Sequence, residues 1–151
     1  MSENPTADTQ SSATPVATTP SAIDRRRHFP TDTLEPLFEP RSVAIIGATE
    51  REGSVGRTVT ANLLSPYQGR VYPVNSKRSS VLGAKAYPSL QDLPEKPDVA
   101  VIVTPAPTVP QLVRECAACG IGAAIVISAG FNELGPQGRE LEREIREVVL
   151  D

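Results

Sequence analysis

Four short apolar runs punctuate the second part of the chain, each closed by a residue that breaks or turns a strand. They are Ser42-Val43-Ala44-Ile45-Ile46-Gly47, Arg70-Val71-Tyr72-Pro73-Val74-Asn75, Asp98-Val99-Ala100-Val101-Ile102-Val103-Thr104 and Ala123-Ala124-Ile125-Val126-Ile127-Ser128. Runs of this length with no polar alternation read as parallel strands buried on both faces. Between them the period changes. Val55, Val59 and Leu63 recur at helical spacing until Ser65-Pro66 ends the segment. A second helix begins at Thr108-Val109-Pro110, with Thr108 as N-cap candidate, and presents Leu112, Val113, Cys116 and Ala117 before Gly120 stops it. A third, Gln137 to Val149, places Leu141, Ile145 and Val148 on one face, and sets Glu142 four residues before Arg146 in the order that favours an ion pair. Leu34, Leu37 and Phe38 suggest a short helix or turn laid against the domain, and Ser79 to Leu82 leaves room for another short helix. The alternation predicts an α/β fold: a Rossmann-like parallel sheet with helices on both faces.

The first residues lack this patterning. Residues 1–30 are mostly Ser, Thr, Pro and Ala, and bury too little surface to offset the entropy of ordering, so they read as a disordered tail before a domain spanning 31–151. The tail carries a short basic cluster, Arg25-Arg26-Arg27-His28, which reads as a solvated charge run. A net charge of −3 gives no electrostatic reason to expect nucleic acid or an anionic membrane as partner. No apolar run approaches the roughly 20 residues that span a bilayer, and no secretory signal opens the chain, so the cytoplasm is the expected location. Cys116 and Cys119 form a C-A-A-C near the end of a predicted helix, where the helix dipole raises rather than lowers a thiol pKa. Two thiols with no neighbouring His make half a zinc site, so they are expected to be packing residues and no metal is expected.

Ligands of such sheets bind beyond the carboxyl ends of the strands. There this chain places Gly, Thr, Ser and Lys. The first strand runs into Gly47-Ala48-Thr49-Glu50-Arg51-Glu52-Gly53-Ser54-Val55-Gly56 and then a helix. Glycines let backbone N–H groups approach a pyrophosphate, and a helix N-terminus favours its charge. The spacing is longer than G-x-G-x-x-G, although Gly53 to Gly56 keeps its second half. After the second strand, a nicotinamide-binding fold has an Asp or Glu for the ribose hydroxyls. Here stand Asn75-Ser76-Lys77-Arg78, whose cations suit an extra ribose phosphate, the 2′-phosphate of NADP or the 3′-phosphate of coenzyme A.

These residues, with Tyr87-Pro88-Ser89-Leu90, Thr104-Pro105-Ala106 and Val126-Ile127-Ser128-Ala129-Gly130-Phe131, occur in an order that resembles one family. It is the CoA-binding domain of nucleoside-diphosphate-forming acyl-CoA synthetases, such as ADP-forming acetate–CoA ligases and the succinyl-CoA synthetase α subunit, also found in certain bacterial protein lysine acetyltransferases. The resemblance runs from about Leu34 to Asp151. It implies a phosphate loop at Thr49 and at Gly53, Ser54, Val55 and Gly56, a basic contact at Lys77, and post-strand loops at Thr104, Pro105 and Ala106 and at Ser128, Ala129 and Gly130. Where succinyl-CoA synthetases tend to carry Thr-Glu-Gly, this chain has Ser128-Ala129-Gly130, the form shared by the acetate-type enzymes.

The resemblance also implies where chemistry is not. Such enzymes pass a phosphoryl group through a histidine in a following domain, and the one histidine here, His28, precedes the first strand. No catalytic residue is therefore expected in this chain, and ADP or ATP would act only through further synthetase domains or a separate β subunit. The expected role is a CoA-binding domain, truncated or part of a larger synthetase, that presents CoA or acyl-CoA for acyl transfer in an acid–CoA ligase or an acetyltransferase fused to one. The alternatives are a non-catalytic CoA or acyl-CoA sensor and an NADP-binding Rossmann fragment.

Overall fold

The computed structural model describes residues 34–150; the expected tail, with His28, and Asp151 lie outside them. Strands β1 (Ser42–Ile46), β2 (Arg70–Val74), β5 (Val99–Ile102) and β6 (Ala123–Val126) form one parallel sheet in the order β2-β1-β5-β6. The register aligns Val43 with Val71 and Val99, and Val99 with Ala123. Ladder hydrogen bonds run one residue further, from Gly47 to Val74, Val103 to Ile46 and Ile127 to Ile102. All five residues of β1 are buried, as expected of the central strand. At the edge, β6 leaves Ile125, Val126 and Ile127 exposed.

Alternate residues of each strand point to opposite faces. On one face Ala44, Ile46, Ala100 and Ile102 pack against Val109, Val113 and Cys116 of α3 (Val109–Ala118) and against Ile145 and Val148 of α4 (Pro136–Leu150). On the other, Val43, Ile45, Val99 and Val101 meet Val59 and Leu63 of α2 (Val55–Leu64). Helices thus cover both faces, and the Rossmann-like expectation holds. Gly120 stops α3 at φ +69°, as the sequence suggested.

Several local expectations change. The link after β2 holds a β-hairpin, β3 (Ser80–Val81) with β4 (Ala84–Lys85), rather than a helix at Ser79 to Leu82. Leu82 and Gly83 turn it at φ +51° and +81°, a two-residue reversal in the left-handed region. Thr108 precedes α3 but does not cap it, because its hydroxyl lies against Thr104 Oγ1 and the Pro105 carbonyl. Glu142 accepts the Asn132 N–H at 3.0 Å instead of pairing with Arg146. The ion pairs of α4 are made by Arg143 with Glu140 and Glu147, and by Glu144 with Arg114 of α3. The short helix α1 (Glu35–Phe38) forms, yet Phe38 is exposed rather than packed.

Candidate functional site

The carboxyl ends of β1, β2, β5 and β6 open into two clefts that share Gly47, Thr104 and Pro105. The first, of about 490 Å³, is built by the β1–α2 loop and the loop after β6. Ser54 makes the loop into a helix N-terminus: its hydroxyl accepts Arg57 N–H at 3.2 Å and donates to the Arg51 carbonyl at 2.6 Å. Thr49 accepts the N–H of Arg51 at 3.3 Å. The first turn of α2 carries no acid, so no carboxylate within the helix opposes the attraction of its dipole for an anion.

Three glycines shape this corner, for different reasons. A Cβ on Gly56 would lie 2.6 Å from the Gly47 carbonyl oxygen, so the close approach of α2 to β1 demands glycine there. Gly47, at φ +95°, would meet Thr104 Cγ2 at 2.8 Å. At φ +71° Gly53 is different, because no protein atom lies within 4 Å of its missing Cβ. Its Cβ side is left open by the protein and lies on the first cleft.

The second cleft, of about 660 Å³, has Ile46 and Val74 as apolar floor. Thr108 with Leu112 and Glu115 of α3 line one side, and Pro88, Ser89 and Leu90 line the cleft as well. Asn75, Ser76 and Lys77 stand at its mouth. Asn75 is engaged at both ends of its amide: its Nδ2 donates to the Ala48 carbonyl at 2.8 Å, while its Oδ1 accepts the Lys77 N–H at 2.8 Å. One side chain thereby fastens the β1 loop to the turn after β2. A carboxylate at this place would set two acceptors against each other at Ala48, so the ribose acceptor of nicotinamide sites has no equivalent here.

The two cations after β2 separate. Arg78 reaches Glu50 in the β1–α2 loop at 2.7 Å, and the other oxygen of Glu50 accepts the Leu82 N–H at 2.9 Å. Lys77 is exposed, and its ammonium has no ion-pair partner among the described residues. The cleft is left with Lys77 alone as its cation.

The structure brings Thr49, Gly53, Ser54, Val55, Gly56, Thr104, Pro105, Ser128 and Ala129 together around the first cleft, and Lys77 onto the second. Ala106 and Gly130 line neither. Ala106 is buried, and a Cβ on Gly130 would stand 3.0 Å from it. Gly130 N–H donates to Glu133 at 2.5 Å, which lowers the pKa of that carboxyl together with the backbone N–H groups of Glu133 and Phe131. Ser128 is tied back too, its hydroxyl donating to the Thr104 carbonyl at 2.5 Å. The second cleft's wall, Leu112 and Glu115 with Pro88 to Leu90, was not singled out from the sequence. Leu112 reads as core by periodicity, and only the fold sets it beside a loop more than twenty positions away.

Cys116 is buried and Cys119 half-buried, neither on a cleft mouth. Burial pushes the Cys116 thiol up to about 11, as befits a packing residue. Among the described residues, no group of three or more acidic, His or Cys side chains is placed to hold a metal, and no helix is long and apolar enough to cross a membrane.

Residues 41–147 match the family model described as a CoA binding domain. Over 116 residues the chain is 49% identical to an ADP-forming acetate–CoA ligase I of Archaeoglobus fulgidus, covering 77% of this chain and 17% of that enzyme. It is 41% identical over 122 residues to the α subunit of ADP-forming acetate–CoA ligase I from Pyrococcus furiosus, covering 78% and 26%. The fold superposes on the apo form of a dinucleotide-forming acetyl-coenzyme A synthetase 1 of Candidatus Korarchaeum cryptofilum with a TM-score of 0.71 at 39% identity, over 76% of this chain and 25% of that one. The chain therefore spans about a quarter or less of the length of these relatives.

Proposed function

Since the chain belongs to the CoA-binding domain family, we propose that its two joined clefts hold coenzyme A and present it for acyl transfer in an ADP-forming acid–CoA ligase. The observation that carries this reading is the division of polar groups between the clefts. The loop around Gly53, with the N-terminus of α2, offers unopposed N–H groups and open space to a pyrophosphate. Lys77 offers one cation at the mouth of a cleft with an apolar floor, suited to a ribose phosphate beside a base. Val103, Ile127 and Ala129 continue the first cleft toward β6, an apolar path for a pantetheine arm.

CoA would supply a thiol nucleophile, and the chain's own residues would bind and orient it. Thr104, common to both clefts, would lie beside the joint between nucleotide and arm. The acyl group, the nucleotide chemistry and any transferred phosphoryl group belong to further domains or a separate subunit, as the Pyrococcus furiosus α subunit suggests. Asn75 argues against an NAD reading, since it stands where the ribose carboxylate would and its amide bonds within the protein.

Calorimetric titration with CoA, dephospho-CoA, NAD and NADP tests the proposal. CoA should bind in preference to both dinucleotides. Dephospho-CoA should be weaker by about ten- to a hundredfold, the worth of one charge-assisted hydrogen bond. Lys77→Ala should erase that gap. Tighter binding of NADP than CoA would overturn the assignment.

A further inference from the structure

The second cleft holds a group that the CoA reading does not yet use. Glu115 is a half-buried carboxylate on its α3 wall. Gln111 Nε2 donates to one of its oxygens at 3.1 Å, and among the described residues the other oxygen has no protein donor. Glu115 lies six residues beyond Val109, the first residue of α3, about 9 Å down the axis at the rise of an α-helix. The cleft therefore has two chemically opposite ends. Lys77, Gly47 and Thr104 follow strand carboxyl ends and mark one end, and Glu115, carried on the helix that runs back from those tips, marks the other.

A carboxylate accepts hydrogen bonds and donates none. It repels phosphate, so a phosphorylated ribose belongs at the Lys77 end. What extends past Ile46 and Val74 toward Glu115 is best matched by a largely apolar group with a hydrogen-bond donor at its far edge. A purine with an exocyclic amine has that description. We propose that Glu115 is the base-reading residue of this domain, accepting the 6-amino group of adenine and selecting 6-aminopurine ligands over those without the donor. The proposal rests on the CoA reading of the cleft.

It is tested with two ligands, CoA and a CoA analogue carrying purine, with hydrogen at position 6, in place of adenine. Their affinities are measured calorimetrically for the wild-type chain, Glu115→Ala and Glu115→Gln, each first checked for folding by circular dichroism. The wild type should prefer CoA by about tenfold or more, the range of one hydrogen bond to a charged acceptor. Glu115→Ala should bring the two ligands within about twofold of each other, because the lost partner can no longer discriminate. Glu115→Gln, which keeps a carbonyl acceptor, should retain part of the preference. An unchanged preference in Glu115→Ala, or equal binding by the wild type, overturns the assignment while leaving the CoA reading intact. Failure of the wild type to bind either ligand removes the CoA reading itself, and the base-reading role with it.

Discussion

Gly138 lies in the first turns of α4, a place where alanine ordinarily stabilises a helix by about 0.5–1 kcal/mol. Here a Cβ would fall 1.6 Å from the carbonyl oxygen of Phe131, so the helix and the loop before it touch backbone to backbone. Gly138→Ala should therefore destabilise the domain, by about 3 kcal/mol if overpacking follows its usual cost, as read by urea denaturation. Stabilisation by that substitution would show that α4 does not sit against Phe131. In the same loop, Glu133 has its pKa lowered by the N–H groups of Gly130, Glu133 and Phe131. A lowered folded value means that its contribution is fully present above the unfolded value of about 4.3 and is lost as the pH falls through the folded one. The melting temperature of Glu133→Gln should therefore lie below that of the wild type at pH 7, with the gap closing below about pH 4. A gap that did not shrink at all as the pH fell from 7 toward 2 would mean the carboxylate's charge plays no part in holding the loop.

The elements divide by how local their causes are. Strand β1 and helix α2 were legible because an uninterrupted apolar run, a glycine turn and a 3.6-residue period are each written in consecutive residues. Ser54 ends the loop as a helix cap in the ordinary way, and Ser54→Ala should cost about 1 kcal/mol in denaturant unfolding. The β3–β4 hairpin was not legible. Its two-residue strands carry too little pattern to announce themselves, and its turn at Leu82 is secured by Glu50, thirty-two positions earlier. The glycine turn and helix start at Gly53 to Gly56 could be read from the sequence, whereas the split between Lys77 and Arg78 depends on where the Glu50 side chain arrives. Ala106 and Gly130 were carried over by motif position, and the folded chain buries Ala106 and leaves Gly130 off both cleft linings. The cysteines show the reverse case, since composition and place on α3 sufficed. Cys116, with its thiol raised to about 11, should resist iodoacetamide at pH 7.5 in the native domain and react only in denaturant, as mass spectrometry of the labelled chain would show. Rapid native labelling of Cys116 would contradict its burial.

At the scale of the whole molecule, the described residues supply a place for CoA and no histidine to carry phosphate. The chain incubated alone with CoA, acetate and ATP should yield no acetyl-CoA above the blank in a chromatographic assay, and turnover there would refute the division of labour proposed above. The sheet also has two unlike borders. Beside β2, the segment at Tyr87 exchanges backbone hydrogen bonds with Pro73 and Asn75 and closes off that side. Beside β6 no strand lies among the described residues, and Ile125, Val126 and Ile127 are open there. Such a border accepts another strand from any chain that offers one, so a preparation of this chain should become turbid on concentration or storage sooner than its small net charge alone would suggest. A lysine at Ile125 should lengthen its shelf life, measured by light scattering over days, without moving the affinity for CoA.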